Sequence, residues 1–179
     1  MFQTGQYVSY GDDGVCRIDG IGPLAISSRY AAPKNYYTLT PLSYKGAIYA
    51  PVDEDAPIRP LIGAEEARAL LLRLPHLTGS ACYARDKRQL TEHYRRQLKE
   101  GTCEAFARTA KGIYEKYHTP GRAPHLPNQV EMRYFKRAAQ LLIQELSVAL
   151  DQSPDHIQAR IEAICGIEPG QAIPRSNPA

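Results

Sequence analysis

Tyr7-Val8-Ser9-Tyr10-Gly11-Asp12-Asp13-Gly14-Val15-Cys16-Arg17-Ile18 contains two short β-prone runs divided by a turn. Tyrosine and valine suit a pleated, half-buried surface, and the two glycines accept the positive φ that a tight turn needs. Val15 to Ile18 alternates apolar and polar side chains, as a strand with one covered face does. Outward from this stretch the same texture continues. A third short strand is expected around Leu24 to Ile26, beyond Gly22-Pro23. Tyr36-Tyr37-Thr38-Leu39-Thr40 is the strongest strand signal in the chain. Ala47-Ile48-Tyr49-Ala50 follows Lys45-Gly46 and is stopped by Pro51. Four or five short strands within about 55 residues fit a small barrel, because closure hides sheet edges. Any edge left open suits pairing with a partner's strand.

The period changes at Ala56-Pro57-Ile58-Arg59-Pro60, and beyond it the chain reads as helices. Glu65 to Leu74 places Ala67, Leu70, Leu71 and Leu74 on one face, and Pro75 ends it. Asp86 caps a helix reaching about Lys99, with Gly101 as its stop. Thr102 to Tyr117 carries a stripe of Phe106, Ala110, Ile113, Tyr114 and Tyr117. After a Pro/Gly-rich loop from Thr119 to Pro127, Asn128 and Glu131 have capping-box spacing. They open the longest helix, which buries Val130, Tyr134, Ala138, Leu141, Leu142, Leu146 and Ala149. Ser153-Pro154 starts the last helix, with Ser as cap and Pro at its first position, and Ile157, Ile161 and Ile164 face inward. The expected fold class is α+β: a small N-terminal β-barrel over residues 1–57, an all-α bundle over 58–167 and a frayed tail over 168–179.

The chain shows no sign of catalytic chemistry. It lacks a P-loop, a dinucleotide fingerprint, HExxH and GxSxG, so neither an enzyme nor a cofactor is expected. Cys16, Cys82, Cys103 and Cys165 are scattered without metal-ligand spacing, and reduced thiols with no bound metal are expected. Asp53-Glu54-Asp55 reads as a solvated acidic loop, and Glu65-Glu66 complements the dipole of the helix it opens. No apolar run reaches the roughly 18 residues that span a bilayer, and Met1 to Gly14 lacks a secretory pattern. The expected location is the cytoplasm.

Charge separates the two halves. Residues 1–60 carry five basic and six acidic side chains, and the remainder carries 17 and 13. The excess gathers between Arg85 and Arg122, where ten basic residues face five acidic ones. Clustered cations suit a phosphate backbone, whose condensed counterions they release. Taken alone, such a run is more often a solvated helix face. Tyr83, just ahead of the cluster, is either a staple at a helix entrance or a ring that presses against opened bases.

These residues carry a family resemblance. MFQTGQYVSYGDDGVCRIDGI (1–21), YYTLTPL (36–42), IYAPVD (48–53) and IRPLIGAEEARALLLRL (58–74) follow the order and spacing of CarD/CdnL proteins. Asp86 followed by HYRRQLKEG (93–101), and then AAQLLIQELSVAL (138–150), resembles that family's helical domain. The resemblance runs from Met1 to about Ile164. It implies a Tudor-like (SH3-like) module that binds the β subunit of bacterial RNA polymerase and is shared with transcription-repair coupling factors. It also implies a helical domain that contacts the upstream edge of the promoter bubble, stabilising the open complex.

Two departures concern the sites. Many relatives wedge a tryptophan into the minor groove, whereas this chain has no Trp. The matching position is Tyr83, a ring with less area and a hydroxyl to satisfy. Arginines on the relatives' polymerase-facing strands match Leu24 and Tyr49 here, with Ile26 and Tyr37 as neighbours. The expected polymerase-binding residues are therefore Leu24, Ile26, Tyr37 and Tyr49. The expected DNA-binding residues are Tyr83, Arg85, Lys87, Arg88 and Arg95, acting in a monomer without strong sequence preference. The competing readings are a Tudor-like adaptor for another protein, with the helices as scaffold, and an RNA-binding factor using the same basic patch.

Overall fold

The computed structural model describes residues 1–23, 35–52, 56–118 and 127–167. The expected strand at Leu24 to Ile26, the acidic Asp53 to Asp55, most of the Thr119 to Pro127 loop and the tail from Glu168 lie outside the described residues. The chain divides into two compact units, Met1–Leu61 and Ile62–Ala179.

The first unit is a five-stranded antiparallel sheet. β1 (Tyr7–Tyr10) and β2 (Gly14–Pro23) are joined by a single 3-10 turn, Gly11–Asp13. Gly11 and Gly14 take φ values of 43° and 81°, which explains why glycine flanks this turn. β3 (Asn35–Pro41), β4 (Ile48–Pro51) and β5 (Ile58–Pro60) complete the order β4-β3-β2-β1-β5. β2 runs through Gly20-Ile21-Gly22, and its register against β3 shifts between Ile18 and Gly20. Asp19 is the extra residue of that bulge. It accepts hydrogen bonds from Arg17 Nε at 2.7 Å and Thr40 Oγ1 at 2.5 Å, as bulged residues are turned aside from the ladder. The inner face buries Val8, Cys16, Ile18, Tyr37, Leu39 and Ala50. Burial and then the charge of Asp13 push the Cys16 thiol up to about 12.

Among the described residues the sheet is not closed, so the expected barrel is not confirmed. Among the described residues β4 and β5 do not pair, and each is hydrogen-bonded on one side only. Their length and composition give the reason. They span four and three residues and end in Pro51 and Pro60, and a proline has no N–H to give a ladder. The structure also moves the division between the units past the two prolines that punctuate the sequence. Ile58, Arg59 and Pro60 pair with Tyr10, Ser9 and Val8, so this segment is a strand of the first unit.

The second unit holds α1 (Ala64–Arg73), α2 (Lys87–Lys99), α3 (Cys103–Tyr117), α4 (Gln129–Leu150) and α5 (Pro154–Cys165). Four side chains cap these helices. Asp86 accepts from Arg88 N at 2.7 Å, Thr102 from Ala105 N at 3.2 Å, Asn128 from Glu131 N at 3.0 Å and Ser153 from His156 N at 3.3 Å. Each such cap contributes about 1 kcal/mol. A 3-10 turn at Leu74–His76 closes α1 around Pro75. Its carbonyls at Leu74 and Pro75 accept from Lys111 Nζ at 3.0 and 2.5 Å. Leu70, Leu71, Phe106, Leu141, Leu142, Leu146 and Ile157 fill the main core. Leu90, Tyr94, Ile113, Tyr117 and Phe135 form a second one. In α4 the buried stripe is carried by Phe135 and Ala139 beside Ala138, Leu141 and Leu142, while Val130, Tyr134 and Ala149 lie at its margin.

Candidate interaction surfaces

In the first unit the candidate surface is the β4 edge and the face beside it. Tyr49 is 48% exposed and stands opposite Thr38, which in turn stands opposite Gly20. A Cβ at Gly20 would meet nothing within 4 Å, so the row from Tyr49 inward leads to bare backbone. Because side chains alternate across a strand, Thr40 shares this face with Thr38, and its partner Arg17 lies beside it. The face therefore offers Tyr49 at an open edge, a second exposed aromatic, Tyr7, opposite Arg17, a bare glycine floor and the Arg17–Asp19–Thr40 cluster. Of the residues expected to meet polymerase, Tyr49 is at this surface. Tyr37 is 3% exposed and belongs to the core. Its ring packs edge-on against Phe2 at 6.1 Å, and its hydroxyl accepts from Phe2 N at 3.3 Å. Leu24 and Ile26 lie outside the described residues.

In the second unit the candidate surface is the segment between the 3-10 turn and α2, which carries Tyr83. This ring is 76% exposed, so it is no staple of the core. The segment beneath it is fixed. Ser80 N donates to Arg108 O at 2.8 Å, Arg108 Nε donates to Thr78 O at 3.3 Å, and Ser80 Oγ lies 3.4 Å from His93 Nε2. Gly79 and Gly112 make this approach possible. A Cβ on Gly79 would stand 2.6 Å from Gly112 Cα, and one on Gly112 would stand 2.5 Å from the Ser80 backbone. Burial pushes the His93 imidazole below its ordinary value, and the charge of Arg96 adds to this against the Ser80 contact.

Cys82, immediately before Tyr83, is held at both backbone groups. Its N–H donates to Tyr94 Oη at 3.1 Å, and its carbonyl accepts from Lys116 Nζ at 2.8 Å. Both partners converge on Glu131, which has no exposed surface. Glu131 Oε1 accepts from Tyr94 at 3.1 Å and from Lys116 at 2.6 Å. Oε2 accepts from Asn128 Nδ2 at 2.5 Å and from the Tyr117 hydroxyl. Lys116 Nζ also sits 5.4 Å from the centre of the Tyr83 ring, within reach of a cation–π contact.

The basic run divides by role. Arg85, Lys87 and Arg88 are exposed and make no ion pair among the described residues. Arg95 is exposed but lies 2.8 Å from Glu92. Lys111, Lys116 and Arg108 instead hold backbone carbonyls of their own unit, and Arg122 lies outside the described residues. Lys87 and Arg88 occupy the first turn of α2, the end where cations oppose the helix dipole and where phosphates are favoured. Tyr94, Lys116, Glu131 and the Gly79–Gly112 contact escaped sequence reasoning. The signal nearest to them was the Asn128–Glu131 capping pair.

Among the described residues no three histidine, cysteine or carboxylate residues gather as a metal site requires, and no helix is long and apolar enough to cross a membrane. An antiparallel sheet with a one-sided edge strand presents main-chain groups of the kind that a partner's strand can extend. The family comparison makes it specific: residues 2–62 match the CarD-like/TRCF RID domain. The match takes in all five strands and ends at the unit boundary. The first unit therefore carries a match to this family of RNA polymerase-interacting domains, which supports an RNA polymerase-interacting factor. A comparison with curated proteins gives no match.

Proposed function

We propose that the chain is a non-enzymatic bacterial transcription factor that docks on the RNA polymerase β subunit and touches promoter DNA at the upstream edge of the bubble. In this reading a strand of the polymerase extends the sheet at β4. Main-chain hydrogen bonds supply affinity, and Tyr49 with the glycine floor selects the partner. Docking raises the effective concentration of the helical unit at the promoter, so weak DNA contacts suffice. Arg85, Lys87, Arg88 and Arg95 hold phosphates, giving affinity with little sequence preference. Tyr83 rests against the distorted groove at the melted junction.

The observation that supports the DNA contact is Tyr83 itself: an aromatic ring kept in solvent by backbone bonds on the residue before it, beside three exposed cations. Stacking on a base contributes roughly 1 to 3 kcal/mol, and about 1.4 kcal/mol is a tenfold change in an equilibrium. Tyr83→Ala is expected to leave polymerase capture unchanged and to shorten open-complex lifetime by about tenfold. An unchanged lifetime with polymerase still bound removes Tyr83 from the mechanism. Tighter binding of structured RNA than of fork-junction DNA would turn the reading toward an RNA partner.

A further inference from the structure

We propose that Glu131 is a positioning residue for the DNA contact: through Tyr94 and Lys116 it fixes the Cys82–Tyr83 peptide and so holds the Tyr83 ring in its exposed pose. The inference rests on the reading of Tyr83 given above, and the geometry carries the rest. Glu131 is one hydrogen-bonded partner away from both backbone groups of Cys82. Tyr94 Oη accepts from Cys82 N at 3.1 Å and donates to Glu131 Oε1 at 3.1 Å, which uses its single proton consistently. Lys116 Nζ donates to Cys82 O at 2.8 Å and to the same carboxylate oxygen at 2.6 Å. The carbonyl held by Lys116 belongs to the peptide that leads into Tyr83, so the direction in which the tyrosine leaves the backbone is set from below.

A carboxylate without exposed surface needs donors in place of water, and here the donors come from α2, α3 and the cap of α4. A buried network of this kind, fully satisfied, specifies one geometry. An apolar side chain at position 131 would fill space without telling the preceding loop where to lie. The aromatic contact is thereby ordered before DNA arrives, which removes the ordering penalty from the binding step.

The absence of tryptophan makes the pose measurable in the full chain, because Tyr83→Trp introduces a single tryptophan that can be excited apart from the tyrosines. Its fluorescence anisotropy decay should follow the tumbling of the protein. Adding Glu131→Gln, or the milder Tyr94→Phe, should bring in a fast local component while cooperative unfolding persists. The second arm is a cycle on fork-junction DNA affinity. Glu131→Gln and Tyr94→Phe should each weaken binding by a factor approaching that of Tyr83→Ala, and by less than about twofold in the Tyr83→Ala background, as coupled residues behave. A slow anisotropy decay unchanged by both substitutions overturns the proposal. So does a loss of DNA affinity that survives undiminished in the Tyr83→Ala background, which is what a purely structural role gives. If Tyr83→Ala alone leaves DNA affinity unchanged, the DNA reading fails, and the anisotropy arm still decides whether Glu131 positions the ring.

Discussion

At the scale of single residues, the charge state of the second unit turns on Glu131 and its neighbours. Burial alone lowers the Lys116 pKa, but the hydrogen bond and charge of Glu131 outweigh it and leave the ammonium above its ordinary value. Burial, then the Glu131 contact, raises the Tyr117 phenol, and burial also raises Tyr94. Each of these groups keeps its proton to higher pH in the folded chain than in the unfolded one. Their contribution to stability is complete below the unfolded values, near pH 10 for tyrosine and lysine, and is lost as pH rises through the folded values. Thermal unfolding followed by circular dichroism should show this contribution constant from about pH 7 to 9 and falling above about pH 10. Glu131→Gln should make that alkaline fall shallower, because it removes the anion that holds the Lys116 proton. Equal slopes in the two proteins would mean that the carboxylate does not govern these groups.

At the scale of elements, the loop that presents Tyr83 lies on α3 through backbone rather than side chains. Gly112→Ala places a methyl 2.5 Å from the Ser80 backbone, so the loop must lift or α3 must shift. Overpacking of this kind costs about 1 to 3 kcal/mol, a fall in unfolding temperature of several degrees for a unit of this size. The same variant should also loosen the tryptophan of Tyr83→Trp. A midpoint and anisotropy both equal to those of the parent would show that the close approach does not anchor the loop.

What the sequence disclosed at this scale follows from the range of each interaction. Asp86, Asn128 and Ser153 were legible as caps because a cap joins residues two or three apart. The first hairpin was legible because Gly11 and Gly14 are demanded by its turn. β5 was not, since Ile58-Arg59-Pro60 is too short and too rich in proline to signal a strand, and only pairing with β1 makes it one. Closure into a barrel is not legible for a related reason: composition counts strands but does not say whether the outermost two meet. The Tyr83 position could be found by alignment with Asp86 and HYRRQLKEG, whereas its support could not. Cys82, Tyr94, Lys116 and Glu131 come from four separate elements, and no local pattern links them.

At the scale of the whole molecule, the chain joins two units with different chemistry: an antiparallel sheet that matches the CarD-like/TRCF RID domain and a helical unit with an exposed ring beside cations. Each has its own core, and in the proposed function linkage in one chain lets a modest DNA contact act at high local concentration. The central claim is that polymerase is captured by the first unit alone. Its most direct test is the affinity of a fragment comprising residues 1–61 for the purified polymerase β subunit, compared with that of the full chain. Equal affinities within about twofold, with Tyr49→Glu reducing both together, are the expected result. A fragment that is folded yet fails to bind the β subunit, while the full chain binds, would contradict the account.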